Sequence, residues 1–165
     1  MRLKINQQGL PYLITGSLVA LILGIIVTIL IPALGAPGPT QLAHAYTEQE
    51  MRGRMIYQRE GCWYCHTQQV RAPEVGIGTI KVQGDIGPES VAGDYVYQKP
   101  VFWGTERQGP DLSHVASRPY GAVMEWHLVH LKDPQSTSPG SYMPSFAHLP
   151  EDELEALAAY LLTLK

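Results

Sequence analysis

The sequence predicts a mainly α-helical protein, a small helical domain carried behind one N-terminal membrane-spanning helix, and three observations predict it. From Ile5 to Thr47 there is no Lys, Arg, Asp or Glu, so this stretch lacks the charges that keep a soluble surface in water. Beyond it, apolar residues recur at intervals of three and four in segments that open with helix-start signals. Strand signals are confined to residues 79–83 and 95–97, too few to build an independent sheet. A length of 165 residues suits one domain with an anchor and excludes a (β/α)8 barrel.

The first element is Leu10–Leu34, LPYLITGSLVALILGIIVTILIPAL. At ~1.5 Å rise per residue it crosses a ~30 Å hydrocarbon core with some tilt. A cleaved signal peptide is the competing reading, since Leu34-Gly35-Ala36 and Ala43-His44-Ala45 offer small residues for cleavage. The apolar run exceeds the ~7–15 residues of a signal core, which favours retention. Arg2 and Lys4 precede the run and the next basic residue is Arg52, so the N-terminus is expected in the cytoplasm and the remaining chain outside. Residues 1–34 are therefore read as a cytoplasmic stub and transmembrane helix. Pro37 and Pro39 prevent its continuation, which makes 35–46 a Pro/Gly-rich linker and leaves 47–165 as the outer domain.

In the outer domain, Thr47-Glu48-Gln49-Glu50 forms a capping box that opens a helix to about Glu60, stopped by Gly61. Its expected apolar stripe is Met51, Met55 and Ile56. A helix over 121–131 places Met124, Leu128 and Leu131 on one face, with His127 and His130 on the polar half. The last helix begins at Pro150, puts Glu151, Asp152 and Glu153 at its positive end, and repeats Leu154, Leu157, Leu161 and Leu164. Residues 67–110 are rich in glycine and irregular. So long a stretch inside a compact domain is expected to cover a ligand or a partner.

Charge excludes one class of partner. The whole chain carries −3 and Arg2 and Lys4 contribute two positives, so residues 48–165 carry −5. The one basic grouping, Arg52, Arg54 and Arg59, is interleaved with Glu48, Glu50 and Glu60. No basic stripe is left to follow a phosphate backbone, and nucleic acid is not an expected partner.

Both cysteines of the chain fall in Cys62-Trp63-Tyr64-Cys65-His66, the pattern for covalent attachment of one haem c. Two residues between the thiols, on a helical turn, let both sulfurs reach the vinyl groups of one porphyrin. The next residue then offers an imidazole to the iron. Two alternatives use the same residues. A redox Cys-x-x-Cys would want a βαβ pattern, which is missing here. A zinc site could join Cys62 and Cys65 to His127 and His130, though the two histidines are spaced more tightly than usual for zinc.

A second axial ligand is expected from a methionine after the motif, and Met124 and Met143 are the candidates. Met124 lies in VMEWHLVHL, where regular backbone makes it a core filler, worth on the order of 2–5 kcal/mol if fully buried. Met143 lies in STSPGSYMPSF, whose Pro139, Gly140 and Pro144 leave a loop able to lay a thioether on a haem face. Gly109-Pro110 supplies a rigid carbonyl as a candidate acceptor for the other ring proton of His66.

The segments GRMIYQREGCWYCHTQQVR, AGDYVYQKPVFWGTERQGPDL, EWHLVHLKDP and YMPSF together strongly resemble the membrane-anchored monohaem subunit of cbb3-type haem–copper cytochrome c oxidases. The resemblance covers most of residues 53–146. It implies Cys62 and Cys65 as haem attachments, His66 and Met143 as axial ligands, and Pro110 beside the proximal histidine. It also implies a class I cytochrome c domain with an extended irregular insertion, whose first and last helices cross through Gly53 and Tyr57 on one and Tyr160 and Leu161 on the other. Residues 74–90 depart from the family, lacking its charged, tyrosine-containing stretch, and the C-terminus stops straight after one helix. The function implied is electron transfer from a donor cytochrome c to an integral-membrane haem–copper catalytic subunit, with no catalytic site on this chain. The expected location is the bacterial inner membrane, single-pass, with the cytochrome domain on the periplasmic side. The other readings are the small cytochrome c subunit of a nitric oxide reductase, a free-standing anchored shuttle and, from a different class, a zinc-stabilised binding module.

Overall fold

The structure, a computed structural model, describes residues 9–72 and 87–165. It divides into two units, Met1–Gly38 and Pro39–Lys165. In the first, helix α1 runs through Leu10–Leu34 and buries none of its side chains in protein. It is long and apolar enough to cross a membrane. Pro32 has no N–H to return to the Thr28 carbonyl, and the helix widens into a π turn over Ile26–Leu30 just before it, where the Ile31 N–H reaches back to Ile26 O.

The second unit is helical, and no β-strand occurs among its described residues. Its elements are α2 (Glu48–Arg59), α3 (Met124–Lys132), α4 (Pro134–Thr137) and α5 (Glu151–Leu161), with 3-10 turns at Cys62–Tyr64, Ala92–Tyr95 and Val115–Ser117. The strand expected at 79–83 lies outside the described residues. The one expected at 95–97 does not form. The Asp94 carboxylate accepts the Val91 N–H at 2.8 Å and the Thr40 hydroxyl at 2.5 Å, and this local capping winds Ala92–Tyr95 into a 3-10 turn.

Helix α2 starts on its capping box, with Thr47 N–H donating to Glu50 Oε2 at 2.7 Å and Glu50 N–H donating to Thr47 Oγ1 at 3.3 Å. Its buried face shares only Ile56 with the expected stripe. Met51 and Met55 are 38% and 59% exposed, while Gly53, Arg54, Ile56 and Tyr57 are buried. Gly53 sets this phase, because a Cβ there would stand 1.8 Å from the Ala156 carbonyl oxygen of α5. With the backbones so close, positions 53, 56 and 57 face α5, and the methionines turn to solvent. Tyr57 and Tyr160 meet edge to face at 5.4 Å across the crossing, and the Tyr160 hydroxyl donates to Gln68 Oε1 at 2.9 Å. Leu154, Leu157 and Leu161 of α5 and the following Leu164 complete the core.

Gly53→Ala is therefore expected to destabilise the domain by more than the ~1–3 kcal/mol usual for overpacking, since the clash is with backbone rather than with a flexible side chain. Thermal unfolding measures it, and an unchanged midpoint would rule out this close approach.

Helix α3 also differs from expectation. It begins at Met124 rather than residue 121, and its buried residues are His127 and Leu131. Gly121 is packed against the Val115 carbonyl, where a Cβ would stand 1.9 Å from the oxygen, and it stays outside the helix. Its own carbonyl accepts the His127 Nε2–H at 2.7 Å, so a ring assigned to the polar half is buried and satisfied. Met124 is only half-buried and lies outside the core cluster. The cost expected for a fully buried methionine does not apply to it.

Candidate functional site

Gly61, with φ of +72°, ends α2 in the left-handed region and turns the chain into Cys62–Tyr64. The turn is closed by the N–H groups of Cys65 and His66, which donate to Cys62 O at 3.2 and 3.0 Å. Both thiols thus come from one tight turn, and neither is in a disulfide. Cys62 packs against the hydrophobic core, and its burial pushes the thiol pKa up to about 12. A neutral, desolvated thiol there is a poor redox thiolate.

His66 is held by the loop that carries Gly109 and Pro110. Gly109 N–H donates to Cys65 O at 2.8 Å, Leu112 N–H donates to Thr67 O at 2.8 Å, and between them His66 Nδ1 lies 2.7 Å from Pro110 O. A carbonyl can only accept, so Nδ1 carries the proton and Nε2 is the nitrogen left for a ligand. Gly109 packs directly against the ring. A Cβ at that position would stand 2.2 Å from His66 Cε1, and any side chain would displace the imidazole. Burial lowers the His66 pKa, against the opposing pull of the Pro110 carbonyl, and favours the neutral ring.

These groups open onto a cavity of about 530 Å³, within the ~300–1,000 Å³ of small-molecule and cofactor sites. Cys65, His66, Pro110 and Met143 all line it. Cys62 packs against the core, and neither it nor Met124 is among the lining residues. Met143 reaches the cavity on a loop with irregular backbone, containing Gly140 at φ +84°. The loop is pinned at its far end to α3, where Phe146 N–H donates to Leu131 O at 2.8 Å and Ser145 Oγ to Lys132 O at 2.6 Å.

Sequence reasoning missed other parts of the wall. His130 stacks on Trp126 at 4.7 Å with the rings 10° from parallel, and both line the cavity. Thr137 Oγ1 donates to Pro134 O, so it accepts from His130 Nδ1 at 2.6 Å. Burial, with His66 and His127 nearby, lowers the His130 pKa to about 4. The spacing of four between Trp126 and His130 was the available signal, since it places both on one side of a helix. Leu161 of α5 and Arg118 close other parts of the wall. Among the described residues no group of three or more His, Cys, Asp or Glu is arranged to hold a metal ion, so the set of the zinc reading is not assembled.

The cavity wall carries Cys65, a histidine with one free nitrogen and a thioether loop, with Cys62 on the adjoining turn, a donor set that fits a covalently attached macrocycle. Together with crossed terminal helices, these features define the class of small helical cytochromes. The match to known families is particular. The family described as cytochrome c oxidase, mono-heme subunit/FixO matches residues 4–163, and the chain belongs to it. No curated protein matches the chain.

Proposed function

We propose that this chain carries one covalently attached haem c and passes single electrons from a donor cytochrome to the haem–copper catalytic subunit of its oxidase complex. The observation that carries the reading is His66, whose Nδ1 is committed to Pro110 O while its ring lines the cavity that also holds Cys65 and Met143. When bound, the haem supplies the one-electron iron couple. Cys62 and Cys65 would hold it by thioethers, and His66 and Met143 would supply a nitrogen and a sulfur ligand to its iron. Pro110 orients His66 and raises its basicity. The wall, to which Leu112, Val115, Leu131 and Leu161 contribute, is largely apolar and would limit the water around the bound group, so that its charge change is less screened.

Helix α1 anchors the chain in the bacterial inner membrane, with the N-terminus in the cytoplasm and the domain on the periplasmic side, as the placement of Arg2 and Lys4 supports. Tethering raises the effective concentration of the domain at its acceptor. Full-length protein should resist carbonate extraction from membranes. A soluble form starting near Ala36 or Tyr46 would favour a cleaved leader. The partner is tested by purifying the intact membrane complex through this chain and identifying its largest subunit. A haem–copper oxygen-reducing subunit is expected. A nitric oxide-reducing subunit, or recovery of the chain alone, would overturn the assignment.

A further inference from the structure

Behind the His66–Pro110 contact lies a buried polar cluster with no part in the proposed ligand set. Thr67 and Asp111, the residues immediately after His66 and Pro110, are both fully buried at 0% exposure. The Thr67 hydroxyl donates to Asp111 Oδ2, which also accepts the Gln69 N–H at 3.0 Å, and Asp111 Oδ1 accepts the Ser113 N–H at 2.8 Å. Arg107 supplies the countercharge. Its guanidinium donates to Asp111 Oδ2 at 3.2 Å, to Thr67 Oγ1 at 2.5 Å and to Gln69 O at 2.6 Å. Arg118 donates to the Asp111 carbonyl at 2.6 Å.

A carboxylate out of water is tolerated only where its lone pairs are this well satisfied. Its surroundings show what the cluster accomplishes. The segment 65–67 and the segment 109–112 touch through two backbone hydrogen bonds and the His66–Pro110 bond, and the Thr67–Asp111–Arg107 cluster fastens the same two segments one residue further on. Moving the His66 backbone away from Pro110 would strain that cluster.

We infer that Thr67 and Asp111, charge-balanced by Arg107, are positioning residues that set the strength of the Pro110–His66 hydrogen bond and through it the redox potential of the site. The inference rests on the haem reading above. A shorter Nδ1–H to carbonyl bond makes the imidazole a better donor and favours the oxidised iron. Loosening the clip should therefore raise the potential.

The test uses Thr67→Val, which deletes the hydroxyl without changing charge or much volume, and Thr67→Ser, which restores it. In the full-length protein Thr67→Val should raise the reduced-to-oxidised ratio at fixed potential by up to about tenfold, or about 59 mV for one electron. In the reduced protein, the His66 Nδ1 proton should exchange with deuterium faster than in wild type. Thr67→Ser should return both towards wild type. Asp111→Asn should move the potential in the same direction. A Thr67→Val protein that melts lower but keeps its potential and its Nδ1 exchange rate would show the cluster to be structural only and overturn the inference. A wild-type chain without covalent haem would instead overturn the reading on which it rests.

Discussion

Replacing Cys62 and Cys65 together by alanine is expected to abolish haem retention on denaturing electrophoresis, while wild type stays stained. In the denatured chain any contacts from His66 and Met143 would be gone, so thioethers alone would keep the group attached. Both thiols come from the turn Cys62–Tyr64 with its C-cap at Cys65 and neither is in a disulfide, so both are free to form such bonds. Each single variant should keep one bond and a reduced stain. Release of the haem from wild type by acid–acetone would contradict the covalent link.

Met143→Ala is expected to lower the haem potential by a few tenths of a volt, a sizeable part of the ~0.8 V range that axial ligation spans. A thioether opposite the histidine is what raises the potential of such a site. Met143 lines the same cavity as His66, and Met124 does not. Met124→Ala should leave the potential close to wild type. Because Met124 is half-buried and outside the core cluster, it should also cost less stability than a buried methionine, for which the loss is about 2–5 kcal/mol. Redox titration of both variants separates the two methionines, and a large drop confined to Met124→Ala would reverse the assignment.

What could be read in the sequence was periodicity, caps and local motifs. Helices α2 and α5 follow from a capping box and a leucine repeat, and α1 from an uncharged run. Phase was harder to read. The spacing of Met51, Met55 and Ile56 is helical, but which side of α2 is buried was decided by Gly53, whose missing side chain lets α5 approach. A glycine in mid-helix was the visible signal, and it outranks apolar character when backbones touch.

His127 shows a second limit. A histidine reads as polar until its ring finds a carbonyl, and Gly121 O supplies one only after the 115–121 segment has folded back. The cavity wall was the least legible part. His66, Pro110 and Met143 could be named from short motifs. The spacing of Trp126 and His130 puts the two on one side of a helix, but that this side and Leu161 face the cavity follows only from the packing of α3 and α5. The Asp111 cluster was hidden for the same reason, since GPDL looks like an ordinary turn until Arg107 and Thr67 are seen against it.

The central claim is that His66 and Met143 ligate one haem from opposite sides. Near-infrared magnetic circular dichroism of the oxidised full-length chain tests it most directly, because its charge-transfer band distinguishes nitrogen–sulfur from nitrogen–nitrogen ligation. The account predicts a histidine–methionine band in wild type that disappears in Met143→Ala. A bis-histidine band in wild type, with His130 the obvious second ring on the cavity wall, would contradict it.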